Sequence, residues 1–93
     1  MPPDRRRVIY QGRVQGVGFR FTAARLAPGF SVSGMVRNRP DGSVELEVQG
    51  DRDQVRAFLT AIQAEFGPNI DRADETCLPL ESDSSQAQFR ILD

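Results

Sequence analysis

Histidine is absent from this chain of 93 residues, and cysteine occurs once, at Cys77. A Ser/His/Asp or Cys/His triad and a His- or Cys-rich metal centre are therefore excluded, so any chemistry must use other groups. A lone cysteine cannot close an internal disulfide, which points to a reducing, cytoplasmic compartment. No apolar run reaches transmembrane length, and no membrane association is expected. The opening MPPDRRR lacks the apolar stretch of a secretion signal, so the mature chain is expected to start there. Excess charge is missing too: 12 Lys and Arg stand against 13 Asp and Glu, a net charge of −1. A general nucleic-acid binder normally carries a basic surplus. The length fits one domain over residues 1–93, with 1–6 as a flexible tail, and the run Arg5, Arg6 and Arg7 reads as a solvated terminus. A domain of this size hides only roughly 60–70% of the surface of its unfolded chain, so a site is expected on an edge or loop.

Apolar periodicity supplies the elements. RVIYQGRV alternates Val8 and Tyr10 against Arg7 and Ile9 and reads as a strand. A glycine-rich loop follows, and FRFTAARLA then places Phe19, Ala23, Leu26 and Ala27 at helical spacing until Pro28-Gly29 ends the helix. SVSGMVRN is a second strand with Val32 and Val36 on one face, RPDGS a tight turn, and SVELEVQ a third strand. In that third strand Val44, Leu46 and Val48 point inward, while Ser43, Glu45, Glu47 and Gln49 face solvent. Asp51 and Gln54 suggest a capping box ahead of a helix striped by Val55, Phe58, Leu59, Ile62 and Phe66 and stopped by Gly67-Pro68. RADETCLPL reads as a strand in which Cys77 packs, ESDSSQ as a solvated turn, and Ala87, Phe89 and Ile91 as the inward side of a last short strand. The order predicts an α+β fold: a ferredoxin-like βαββαβ sandwich, its antiparallel sheet covered on one face by two helices, with a short extra C-terminal strand.

In that topology the first two strands run parallel, so their carboxyl ends share one edge of the sheet. The segment GRVQGVGFR (residues 12–20) and the end of MVRN meet there, and Asn38, with the parity of Val36, turns toward the helix-covered face. A helix start offers unpaired N–H groups and the positive end of the macrodipole. Glycines at 12, 16 and 18 let the main chain curl into an anion nest, and Arg20 adds a fork suited to two phosphate oxygens. Such a loop suits a dianionic phosphoryl group, although spacing alone fits a tight strand-to-helix connection equally well. It matches neither the Walker pattern, which needs GK[ST], nor the dinucleotide fingerprint GxGxxG. Arg13, inside the loop, either adds to this field or is an exposed side chain.

GRVQGVGFR, followed by GMVRNRPDGSVELEVQG and an amphipathic helix, closely resembles the acylphosphatase family from about Val8 through the final strand. The resemblance implies metal-independent hydrolysis of the carboxyl-phosphate bond of acyl phosphates, with no cofactor. It implies a phosphate cradle made by Gly12, Arg13, Val14, Gln15, Gly16, Val17, Gly18, Phe19 and Arg20. Arg20 completes the anion site and Asn38 positions the attacking water. The expected partners are the acyl phosphate and inorganic phosphate, the expected state is a monomer, and neither nucleic acid nor membrane is expected to bind. Met35 stands where many relatives carry Trp or Tyr, and Pro28-Gly29 breaks the first helix early.

This chemistry needs neither histidine nor metal. The leaving group is a carboxylate whose conjugate acid has a pKa of about 4, so no proton has to be supplied at neutral pH. Phosphoryl transfer is mainly positioning and charge stabilisation. Two other readings exist: a non-catalytic anion-binding accessory module of the same fold, and an RNA-recognition domain of the same element order. The second would display aromatics on its central strands, where SVELEVQ has none.

Overall fold

The computed structural model describes residues 2–82 and 88–92. Along them run β1 (Pro3–Gly12), α1 (Phe19–Leu26), β2 (Ser33–Asn38), β3 (Val44–Asp51), α2 (Arg52–Phe66), β4 (Ile70–Cys77) and β5 (Phe89–Leu92). Pro28 and Pro68 cannot donate to a continuing α-helix, and each helix tightens there into a 3-10 turn, Ala27–Phe30 and Gly67–Asn69.

The sheet order is β4-β1-β3-β2-β5. β3 is antiparallel to both β1 and β2, so those two run parallel on either side of it, as the expected topology requires. β5 pairs parallel to β2, which makes the five-stranded sheet mixed rather than wholly antiparallel. The reason is the path of the chain. β4 finishes level with the start of β1 (Arg6 opposite Cys77), and crossing that end of the sheet brings it in beside the start of β2 (Gly34 opposite Phe89).

Both helices lie on one face. Val8 and Tyr10 of β1, Val36 of β2 and Val44, Leu46 and Val48 of β3 are at most 3% exposed there, together with Phe19 and Ala23 of α1 and Val55, Phe58 and Ile62 of α2. These are the inward residues that the period of two and the period of 3.6 select. Phe89 and Ile91 pack against the same core at its edge. No helix among the described residues is long and apolar enough to cross a membrane.

Several expectations are corrected. β1 begins at Pro3, so residues 3–6 form no flexible tail but pair with β3 from Pro3 opposite Asp51 to Arg6 opposite Val48. Arg5 and Arg6 are held there by carboxylates: Arg5 bridges Glu47 at 2.7 Å and Glu81 at 2.8 Å, and Arg6 meets Asp4 at 3.0 Å. Glu45, expected to face solvent, is 6% exposed because Arg37 folds over it at 2.9 Å on the uncovered face. Cys77 is exposed, being at the end of the edge strand β4. Asp51 occupies the N-cap of α2 but makes no side-chain capping bond, so the capping box with Gln54 does not form. Ala87 and residues 83–86 of the expected turn lie outside the described residues.

Candidate active site

The loop leaving β1 is fastened before it curls. A register shift at Gln11/Gly12 bends the strand end, and Gly12 takes a φ of 127°. A Cβ there would sit 2.4 Å from the Asn69 carbonyl oxygen and 2.7 Å from the Asp71 nitrogen, so no side chain fits. The next residue is gripped from the same side: the Arg13 amide donates to the Asn69 carbonyl (2.9 Å), and Asn69 Nδ2 donates to the Arg13 carbonyl (3.1 Å). Val14 is fully buried and plugs the loop into the core. Gln15 holds the other side: its Nε2 donates to the carbonyls of Arg39 and Ser43, each at 2.8 Å.

Beyond Gln15 the chain curls and starts α1. Gly16 and Gly18 adopt φ of 76° and 82°, and no atom lies within 4 Å of a Cβ built on either, so backbone angle rather than space selects glycine. Gly18 is the N-cap of α1 and accepts the helix's first hydrogen bond from the Thr22 amide at 3.0 Å. Phe19 anchors the helix start, its ring 5.0 Å from that of Tyr10 and 4.6 Å from that of Phe66.

This arrangement leaves positive charge open. Among the described residues, the backbone amides of Gly16 to Arg20 have no hydrogen-bond acceptor in the protein. The first turn of α1 holds no acidic residue and no side chain caps it, so the positive end of its dipole is not neutralised locally. No carboxylate among the described residues forms an ion pair with Arg13, Arg20 or Arg39.

Asn38 sits at the end of β2. Its register partner on β3 is Val44, which is also the partner of Tyr10 on β1, so Tyr10, Val44 and Asn38 form one row across the sheet. Phe19 packs on the Tyr10 end of that row. Asn38 is half-buried and shares parity with the fully buried Val36, on the helix-covered side. The hairpin after it closes through the Arg39 amide to the Ser43 carbonyl (2.9 Å) and the Gly42 amide to the Arg39 carbonyl (3.1 Å). Asp41 stiffens this turn by accepting from the Ser43 hydroxyl and amide, bonds that hold its carboxyl below the usual carboxylate range. The Tyr10 hydroxyl is pushed well above its ordinary value, first by burial and then by the charge of Glu75, so it stays neutral across physiological pH.

The sequence-expected residues are therefore gathered along one end of the sheet, with different parts available. Val14 and Phe19 spend their side chains in the core and Gln15 spends its amide on the hairpin, leaving main chain only. Asn69 and the row through Tyr10 were not foreseen; nothing near Asn69 in the sequence marks it. The Asp41 turn had a signal, an Asp two residues before a Ser in RPDGS. A groove of about 240 Å³ lies elsewhere, on the uncovered sheet face beside Arg5, Glu47 and Gln49.

The family model for acylphosphatase matches residues 6–91. An acylphosphatase from Chlorobaculum tepidum is 42% identical over 99% of this chain and 99% of its own length, and one from Geobacillus kaustophilus is 40% identical over 91% and 89%. The crystal structure of acylphosphatase from Bacillus subtilis superposes with a TM-score of 0.83 at 27% identity, covering 97% of this chain and 99% of that one. With the acylphosphatase family model matching residues 6–91 and these relatives matching nearly end to end, the chain belongs to the acylphosphatase family.

Proposed function

We propose that this chain hydrolyses acyl phosphates, holding the phosphoryl group in the loop of residues 12–20, on the amides of Gly16 to Arg20 and the Arg20 guanidinium, while Asn38 orients the attacking water. The observation that carries this reading is the pair of hydrogen bonds from Gln15, which ties the curled loop to the hairpin that follows Asn38. The loop amides and the helix start face a tetrahedral anion with fixed partial positive charge, and Arg20 adds a full one. Charge moves onto the equatorial oxygens as the phosphoryl group transfers, and donors already in place stabilise it without reorganisation.

Water attacks phosphorus, the bond from phosphorus to the acyl oxygen breaks, and a carboxylate departs carrying the electron pair. It needs no general acid. A carboxamide is too weak a base to take the water's proton, so that proton passes to a phosphate oxygen of the substrate itself. The buried, neutral Tyr10 hydroxyl takes no part in proton transfer at neutral pH.

The enzyme acts on a small molecule, as a monomer in a reducing compartment, and binds neither nucleic acid nor membrane. The uncovered sheet face supports this: Arg37 and Arg5 there are tied to Glu45 and Glu47. Release of phosphate from benzoyl phosphate in the presence of a chelator tests the reaction, and calorimetry with inorganic phosphate separates it from an accessory module. Binding without turnover would favour the module. Because Asn38 acts on water, Asn38→Ala should lower kcat by about 10²-fold and leave inhibition by inorganic phosphate nearly unchanged. Full turnover in that variant would remove Asn38 from the mechanism.

A further inference from the structure

We propose that Gln15 is a positioning residue: its side-chain amide sets the spacing between the phosphoryl cradle and the water held by Asn38. This rests on the reading above and extends it to a side chain that touches neither substrate nor water. The loop is held from two sides by different means. Asn69 grips Arg13 from the β4 side, which fixes the loop relative to β1 and β4 but leaves its distance from β2 open. Among the described residues, the hydrogen bonds that reach from residues 13–18 to the β2–β3 hairpin are the two from Gln15 Nε2.

Their chemistry leaves one orientation. Two carbonyl oxygens at 2.8 Å require a donor with two hydrogens, and the NH2 of a carboxamide supplies both. Those carbonyls belong to Arg39 and Ser43, the residues that close the hairpin, where the Arg39 amide also bonds the Ser43 carbonyl. Asn38 directly precedes Arg39, so Gln15 grips the chain one Cα spacing, about 3.8 Å, from the residue that orients the nucleophile. A displacement of about 1 Å between water and phosphorus costs a reaction of this kind up to about 10²-fold. Glutamate would copy the shape of Gln15 but set a carboxylate against two carbonyl oxygens, and leucine would fill the space with no donor.

Four proteins, the wild type, Gln15→Leu, Asn38→Ala and the double variant, decide the matter by steady-state hydrolysis of benzoyl phosphate, inhibition by inorganic phosphate and thermal unfolding. Gln15→Leu should lower kcat by between about 10- and 100-fold, with the inhibition constant for phosphate within about threefold of wild type. In the Asn38→Ala background the same substitution should cost less than about twofold, because its effect passes through Asn38. A purely structural role would instead lower the unfolding temperature and multiply in full with Asn38→Ala. Gln15→Asn keeps the amide but withdraws it by one methylene and should repeat the pattern, which covers the case in which the leucine variant does not fold. If Asn38→Ala loses turnover while the Gln15 variants keep wild-type kcat or multiply in full, this inference alone is overturned. If Asn38→Ala keeps full turnover, the reading of the site falls and this inference falls with it.

Discussion

The arginines of this protein live in two different surroundings. On the uncovered face of the sheet Arg37 lies directly opposite Glu45, and Arg5 lies one step diagonally from Glu47, so strand pairing delivers a carboxylate to each guanidinium. At the carboxyl ends of β1 and β2 the same side chain appears as Arg13, Arg20 and Arg39, and no carboxylate among the described residues pairs with them. Two local facts keep it so. The first turn of α1 contains no acid, and Asp41, the acid of the hairpin, is engaged by Ser43. Register gives Arg37 and Arg5 a carboxylate on the face, and none among the described residues is given to Arg13, Arg20 and Arg39 at the end.

The largest effect is expected at Arg20. Arg20→Ala should lower kcat/KM for benzoyl phosphate by at least about 10²- to 10³-fold, the scale for one preorganised transition-state donor, while urea unfolding barely moves. A large loss of stability with little loss of rate would put Arg20 with the structural arginines. The mirror experiment is Arg37→Ala. It strands the buried Glu45 carboxylate and should cost about 1–3 kcal/mol in urea unfolding, with kcat/KM unchanged.

A smaller effect is expected at Arg13 and Arg39. Replacing Arg13 and Arg39 together by alanine removes field without removing a direct donor. KM should rise by about two- to fivefold at low ionic strength and return toward wild type in about 1 M salt, where screening shortens to about 3 Å. A salt-independent rise would mean direct contact instead.

The smallest effect concerns a paired arginine on the helix-covered side. Arg56 donates to both oxygens of Glu75, at 3.2 and 2.7 Å, and these bonds hold the Glu75 carboxyl below its ordinary range against a partial desolvation penalty. A lowered folded value means that the unfolded chain binds the proton first. The contribution is therefore present above the unfolded value of about 4.3 and is lost as pH falls through the folded one. Arg56→Gln should flatten the acid side of the stability curve by less than about 1 kcal/mol, because the pair is partly exposed and screened. Urea midpoints at pH 3 and pH 7 would show it, and rates at pH 7 should not change.

Much of the fold could be read from period alone. Val44, Leu46 and Val48 alternate, Val55, Phe58, Leu59, Ile62 and Phe66 recur at helical spacing, and all are buried where these periods point. Period says nothing about what covers the polar face, so Glu45 reads as solvent-facing until Arg37 is seen lying over it. The run Arg5-Arg6-Arg7 looks like a tail because charge density argues against burial. It joins β1 because Asp4, Glu47, Glu75 and Glu81, up to 76 positions away in sequence, converge on it.

The chain order of residues determined the element types, the glycine curl ahead of α1 and the parity that sends Asn38 to the helix side, because each depends on neighbours a few positions apart. Tertiary structure alone decided that Asn69 grips Arg13, that Gln15 grips Arg39 and Ser43, and that β5 runs parallel to β2 at the far edge. Those contacts join segments 24 to 56 positions apart, and a hydrogen bond or ion pair at that separation exists only once packing has brought its two ends together. The same is true of charge: a guanidinium is written in the sequence, but whether a carboxylate reaches it is a property of the folded sheet.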